Sequence, residues 1–324
     1  MNPVDKVVSY SSANTLPGKL LRIARTCLTY DLFIKPIHFQ LCPTNACNLN
    51  CAFCSCSARE KSQQLSLKQV QNLSDIFYSL GSAAVTITGG GEPCCHPNLP
   101  EIIRCLSGAR FKLGLVTNGY LIERILKEIS LLTWCRVSVS DDRDLDKLFS
   151  ILFPLVTENK IDWAFSYVVT RNFKIQKFAK AVQFANDHGF THVRAVSDLL
   201  DLDRVPSPVF IRELMKEYGV DDSIVIYQSR QEYSMGTSKC KISLLKPVIA
   251  PDGFVYPCCG VQYALPETQG VFPEEMRMCH IEDIPTYFAS QKVYEGSSCY
   301  RCYYQEYNTA LDCMTTEYDH LEFV

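Results

Sequence analysis

A chain of 324 residues, 47% of them apolar and with a formal net charge of −3, is long enough for about two hydrophobic cores. It excludes a short disulfide-stapled module, a disordered chain and a nucleic-acid binder held by bulk positive charge. No uncharged apolar run approaches the roughly 20 residues of a membrane helix, and the VDKVVSY stretch near the start is too short and too polar for a signal sequence. The expectation is a cytoplasmic protein without a membrane partner.

In chain order, residues 18–30 place Leu20, Leu21, Ala24 and Leu28 on one face, with Lys19, Arg22 and Arg25 turned away. This is an amphipathic helix with an ordinary solvated face. From Pro36 to Ser197, β-rich runs alternate with helical patterns. The runs are 37–41, 83–88, 111–117, 135–140, 163–169 and 192–197, and the helical stretches are 67–80, 98–106, 121–130, 145–152 and 175–188. Such alternation calls for right-handed βαβ crossovers and a parallel sheet whose functional loops follow the carboxyl ends of the strands. Six units are too few to close an eight-stranded barrel, so the expected fold class is α/β, a partial (β/α)6 TIM-like barrel. The stretch from Asp198 to Val209 reads as a linker, followed by a helix at 210–218, a hairpin turning at Asp252-Gly253, and a loop-rich, tyrosine-rich tail. The predicted organisation is an extension over 1–30, the barrel over 31–205 and a C-terminal loop-rich domain over 206–324.

Cysteine is out of proportion: 17 residues, an odd count, in a chain without a secretion signal. Reduced thiolates that bind metal explain this better than a disulfide framework. The cysteines form two centres. One follows the first strand, where Cys47, Cys51 and Cys54 make a CxxxCxxC. Three thiolates can ligate three irons of a cubane and leave the fourth open; the alternative on spacing alone is a zinc loop completed by Cys42 or Cys56. The second strand then runs into TGGGEPCCHP, the third ends in Thr117-Asn118-Gly119, and the fourth reads RVSVSD.

Taken together, strand, cysteine loop, helix, strand and GGEP resemble the radical S-adenosylmethionine (SAM) superfamily over most of residues 36–198. The resemblance implies a SAM-binding [4Fe-4S] cluster on Cys47, Cys51 and Cys54. It also implies that Gly90, Gly91 and Glu92 hold the SAM amino group, that Phe53 packs by the adenine, and that Ser138 and Ser140 reach the ribose or carboxylate. On the residues alone, the two serines are as well explained as small residues inside a tapered barrel. Arg171 and Arg194, near the ends of the fifth and sixth strands, are further candidates for a carboxylate or substrate contact. Cys56, Cys94, Cys95, Cys105 and Cys135 read as packing thiols, and His96 as a loop-ordering residue.

The second centre comprises Cys240, twelve residues, Gly253, four residues and Cys258, and then the pair Cys299 and Cys302. Four cysteines can form a zinc knuckle or hold a cluster. The spacing resembles the opening of the SPASM and twitch extensions of radical SAM enzymes, which implies an auxiliary [4Fe-4S] cluster on these four residues. A full SPASM pattern would have a further cysteine where Asn308 stands, so the resemblance implies the shorter twitch form with one auxiliary cluster. Cys259, Cys279 and Cys313 are left over, and the surrounding tyrosines are expected to shield the cluster.

The implied activity is reductive cleavage of SAM to a 5′-deoxyadenosyl radical that abstracts hydrogen from a substrate carbon. An auxiliary cluster would assist a two-electron oxidation or a rearrangement, and an electron donor such as flavodoxin or ferredoxin would feed the system. About 40 residues precede the first cysteine motif, too few for a separate leader-peptide domain, which favours a small-molecule substrate over a peptide or modified nucleobase. A C-terminus of Glu-Phe-Val rather than Gly-Gly counts against the molybdopterin-pathway cyclase. The rival class is a non-enzymatic metal-binding or electron-carrier protein, which would need neither the GGEP element nor a substrate-sized barrel.

Overall fold

The computed structural model describes residues 33–265 and 270–316; the predicted helix at 18–30 lies outside them. In chain order the elements are β1 (His38–Leu41), α1 (Leu67–Ser79), β2 (Ala84–Ile87), α2 (Leu99–Gly108), β3 (Lys112–Thr117), β4 (Trp134–Ser140), α3 (Leu145–Glu158), β5 (Asp162–Val169), α4 (Ile175–Asp187) and β6 (His192–Ser197). There follow α5 (Pro208–Tyr218), β7 (Val225–Gln228), α6 (Ile242–Leu245), β8 (Val248–Ile249), β9 (Phe254–Tyr256), β10 (Cys279–His280), α7 (Ile284–Ala289) and α8 (Gln305–Met314).

Strands β1 to β7 pair in sequence order, each parallel to the next, giving the open α/β partial barrel that the alternating pattern predicts. The sheet then grows at its other edge. The two residues of β8 run parallel to β1, and β9 and β10 add antiparallel, so that ten strands lie in the order β10-β9-β8-β1-β2-β3-β4-β5-β6-β7. The β8–β9 hairpin turns where expected, with Gly253 at φ +83°, a conformation that costs glycine little and other residues more. The seventh strand and the joining of β8 to β1 were not foreseen. Both pairings are long-range, and segments of two to four residues carry too little periodicity to show them.

The stretch 121–130, predicted as a helix, forms two short 3-10 turns instead, Ile122–Ile125 and Ile129–Leu131. Ile122, Ile125 and Ile129 are fully buried, so the apolar spacing does mark the inward face. The tighter turn rises about 2.0 Å per residue against 1.5 Å for an α-helix and carries a short segment further toward β4. Arg124 fastens it to the neighbouring loop by donating to the Cys94 carbonyl at 2.7 Å.

Alternation along the strands sorts side chains onto two faces. The outward face packs under the helices: Phe39 of β1 stacks on Phe77 of α1 with ring centroids 4.0 Å apart, and both are fully buried. Helix α1 begins with a capping box, in which Ser66 accepts from Gln69 N and the Gln69 side chain accepts from Ser66 N, satisfying two otherwise orphaned donors. The inward face carries smaller and polar residues and opens at the carboxyl ends of the strands. Among the described residues, no helix is long and apolar enough to cross a membrane. Replacing Phe77 by alanine should empty the stack and cost about 3–5 kcal/mol, read as a lower urea midpoint with an unchanged denaturant slope.

Candidate functional site

The loop after β1 is fixed before any cysteine is placed. Thr44 bridges Gln64 in antiparallel fashion, Asn45 N donates to the Gln63 carbonyl, and Gly91 N and Glu92 N donate to the carbonyls of Thr44 and Ala46 at 3.1 and 2.8 Å. The last two bonds sew the cysteine loop to the end of β2. They demand close approach: a Cβ on Gly91 would lie 2.0 Å from the Ala46 carbonyl oxygen, which is why glycine stands there.

Glu92 is the brace of this end of the sheet. It is 3% exposed, and its carboxylate accepts from Thr117 Oγ1 at 2.6 Å, Asn118 N at 2.6 Å and Cys94 N at 3.0 Å. Burial pushes its pKa above the usual range, and these three donors oppose the shift. Its hydrogen bonds therefore tie the β2 and β3 ends together.

Cys47, Cys51, Phe53, Cys54, Gly91, Glu92 and Ser138 all line one cavity of about 320 Å³ at the carboxyl ends of the strands, within the range of small-molecule sites. Each sulfur has a nitrogen donor: Leu49 N to Cys47 at 3.4 Å, Arg143 Nη2 to Cys51 at 3.5 Å, and Arg59 Nη1 to Cys54 at 3.4 Å. Such donors stabilise thiolates. Burial raises the Cys51 pKa and the Arg143 charge opposes it. Arg143 Nε and Nη1 are buried and have no hydrogen-bond partner among the described residues, leaving donors for an anionic group in the cavity. The remaining candidates are dispersed. Gly90 packs against the Asn45 side chain, Ser140 is fully buried, and Arg171 is largely exposed, 3.8 Å from Asp201. Arg194 pairs in register with Ser166, which pairs with Ser138.

Sequence reasoning missed Arg143 as a sulfur neighbour, and also Ser197 and Asp198, which line the same cavity just past β6. Arg143 lies three residues beyond β4, in a loop whose path is set by contacts remote in sequence: Lys177 Nζ donates to the carbonyls of Asp141 and Arg143.

The four cysteines of the second centre also meet. Cys240, Cys258, Cys299 and Cys302 line one cavity together with Tyr303, Tyr304 and Asn308. Antiparallel bridges of Ser234 with Cys302 and of Cys240 with Tyr294 bring the segments together. Gly260 N donates to Cys258 Sγ at 3.3 Å and Tyr304 N to Cys302 Sγ at 3.4 Å. Asn308 Nδ2 approaches Cys240 Sγ at 3.9 Å while its Oδ1 accepts from Ile242 N. Burial, then the neighbouring thiols Cys299 and Cys302, push Cys240 up to about 12; burial and Cys302 push Cys299 up to about 11. Neutral thiols packed this way release protons when a metal group takes them as ligands. Among the described residues, no three His, Cys, Asp or Glu side chains close on a single-ion geometry. Of the expected packing thiols, Cys56, Cys94 and Cys135 are buried, and Cys95 and Cys105 are half-buried.

Residues 41–162, which hold the first cysteine triplet and the Glu92 brace, match the family model described as the Radical SAM superfamily. Over this stretch the chain is similar to radical SAM domains. Its relatives include "GTP 3',8-cyclase 1" of Mycobacterium tuberculosis, 28% identical over 176 residues, covering 51% of this chain and 47% of that protein. "GTP 3',8-cyclase" of Actinobacillus pleuropneumoniae serotype 7 is 33% identical over 133 residues, 39% of this chain and 37% of that one. The chain thus spans about half the length, or less, of these curated relatives. Among solved structures, Streptococcus suis SuiB bound to S-adenosylmethionine superposes with a TM-score of 0.57 at 15% identity, covering 87% of this chain and 74% of that one. A histidine-tagged anSMEcpe with bound AdoMet gives 0.58 at 17% identity, covering 86% and 96%. At these identities the likeness is one of fold. The family implies a [4Fe-4S] cluster and SAM, and the donor set around the first cavity suits both groups.

Replacing Glu92 by glutamine sets an amide NH2 against one of the three donors it now accepts from. The cost should be about 1–3 kcal/mol, measured as a reduced denaturation midpoint; an unchanged midpoint would show that the brace carries no stability.

Proposed function

We propose that this protein is an enzyme that cleaves SAM reductively and abstracts hydrogen from a carbon of a small-molecule substrate. The net result would be a two-electron oxidation or a rearrangement. One observation carries the reading: three cysteines, Gly91, Glu92, Phe53 and Ser138 share a single cavity at the carboxyl ends of the strands. In this reading Cys47, Cys51 and Cys54 hold a [4Fe-4S] cluster, and Cys240, Cys258, Cys299 and Cys302 hold an auxiliary one. When bound, the first cluster and SAM supply a 5′-deoxyadenosyl radical, a hydrogen-abstracting agent that side-chain acids and bases cannot replace.

The chain's own part is to orient and exclude water. Arg59, Arg143 and the Leu49 amide each aim a donor at one of the three sulfurs. The Gly91 backbone would receive the SAM amino group, and Glu92 locks that backbone through the end of β3. Phe53 offers a ring for the adenine, Ser138 a hydroxyl, and Arg143 its unused donors for the SAM carboxylate. Ser140, Gly90, Arg171 and Arg194 are not among the residues that line the cavity.

The relatives named for GTP support a small-molecule substrate. A peptide substrate is the second reading, favoured by the fold shared with SuiB in complex with the precursor peptide SuiA, TM-score 0.56 at 15% identity. The electron donor in either case would be a flavodoxin or ferredoxin.

Anaerobic reconstitution should yield about eight irons per chain, and reductant should convert SAM to 5′-deoxyadenosine. Joint replacement of Cys47, Cys51 and Cys54 by alanine should abolish that cleavage yet leave about four irons; loss of all iron would contradict separate centres, and zinc without iron would favour a binding protein. Replacing Cys299 and Cys302 should leave SAM cleavage intact but stop product formation, and normal product would refute the oxidative role. Deuterium appearing in 5′-deoxyadenosine from a labelled candidate identifies the substrate class.

A further inference from the structure

The two cysteine centres touch. Just past Cys54, the first cysteine loop meets two segments from the C-terminal part of the chain. Ser55, which lines the first cavity, donates its hydroxyl to Gln262 Oε1 at 2.7 Å across 207 residues of sequence. Three residues on, Ala58 N donates to the Gly270 carbonyl at 3.1 Å.

Gln262 lies on a 3-10 turn, Cys259–Tyr263, whose ends are tied to both halves of the second centre. The turn begins at Cys258, whose sulfur accepts from Gly260 N. It ends at Ala264, whose carbonyl accepts at 2.8 Å from the amide of Tyr300, between Cys299 and Cys302. Its internal bonds are long: Val261 N meets the Cys258 carbonyl at 3.5 Å, and Ala264 N the Val261 carbonyl at 3.4 Å. A single short turn with such bonds does not keep its shape in water alone. Its order comes from outside, from Val261 and Ala264 buried in one cluster with Cys42 just past β1, and from the cysteine segments that hold its two ends. Ligation of Cys240, Cys258, Cys299 and Cys302 by one metal group would fix those ends further, because metal binding and local folding are coupled.

The segment that Gln262 meets has need of such support. From Cys51 to Arg59 the backbone makes tight turns, with Cys54 N bonded to the Cys51 carbonyl, Ser57 N to that of Cys54 and Arg59 N to that of Cys56. Bonds this local shape the turns and leave their placement over the sheet to longer-range contacts. Arg59 supplies one at the far end, through Nε to the Asn45 carbonyl at 2.8 Å. Ser55 supplies the other, next to the third sulfur of the first centre.

We propose that Gln262 is a positioning residue through which the second cysteine centre sets the geometry of the first, by holding Ser55 and with it Cys54. That the two centres carry clusters rests on the function proposed above; the hydrogen-bonded link does not.

The test is hydrogen–deuterium exchange on the full chain carrying C47A, C51A and C54A, in which iron and sulfide can load the second centre alone. Loading to about four irons should slow exchange of the Ser57, Ala58 and Arg59 amides about fivefold or more. Q262L should lose that slowing at the same iron content, and Q262E, whose carboxylate still accepts from Ser55, should restore it. With all cysteines present and both centres loaded, Q262L and S55A should each weaken SAM binding about fivefold. The double variant should bind no more weakly than either single one, since both remove the same bond. Exchange indifferent to loading, SAM affinity unchanged in Q262L, losses that add, or no rescue by Q262E would overturn the proposal. A second centre that takes no iron, or a first that binds no SAM, would sink the function proposed above and leave the link to be decided by the other measurement.

Discussion

Two backbone hydrogen bonds, from Gly91 and Glu92 to the carbonyls of Thr44 and Ala46, hold the cysteine loop over the end of the sheet. The loop has few apolar side chains of its own to bury and would have little reason to take one shape in isolation. Pinned at its base by the Thr44–Gln64 bridge and along its edge by β2, it presents its sulfurs to the lumen. The Glu92 carboxylate extends the same bracing to β3 through Thr117 and Asn118. Three consecutive strand ends are thereby coupled, and a preorganised site needs that coupling because a misplacement of about 1 Å is costly to catalysis.

Around this frame, charge is arranged in layers. Two guanidiniums, Arg59 and Arg143, meet the first group of sulfurs. The second group of thiols sits in a largely apolar cavity, screened by tyrosines and served by backbone amides rather than cations. For metal–sulfur groups, charge, amide hydrogen bonds and solvent exposure are the levers that set reduction potential. Here the two groups of sulfurs differ in the donors that meet them, guanidiniums at the first and backbone amides with tyrosines around the second.

The strands β1 to β6 and four of the helices between them were legible in the sequence because each has a long enough periodic run to bury one face. The cysteine motifs were legible because close spacing on a single loop limits how far apart the sulfurs can lie. The segment 121–130 shows the limit of such reading: its isoleucines point inward as their spacing implies, but periodicity alone does not separate an α-helix from two 3-10 turns. The Cys240, Cys258, Cys299 and Cys302 set could be suggested only by resemblance, since some 40 residues part its halves and backbone bridges at Ser234 and Cys240 close the gap.

By itself, the sequence determined the class of fold, the location of the first cysteine loop after β1 and the two-centre distribution of thiols, since these follow from local pattern and chain order. Tertiary structure alone decided that β8 joins β1 and that Arg143 meets Cys51. Strand register fixes the face on which a side chain emerges and loop closure fixes its depth. Both depend on pairings between residues far apart in the chain, whose entropic cost is met only when the whole sheet assembles.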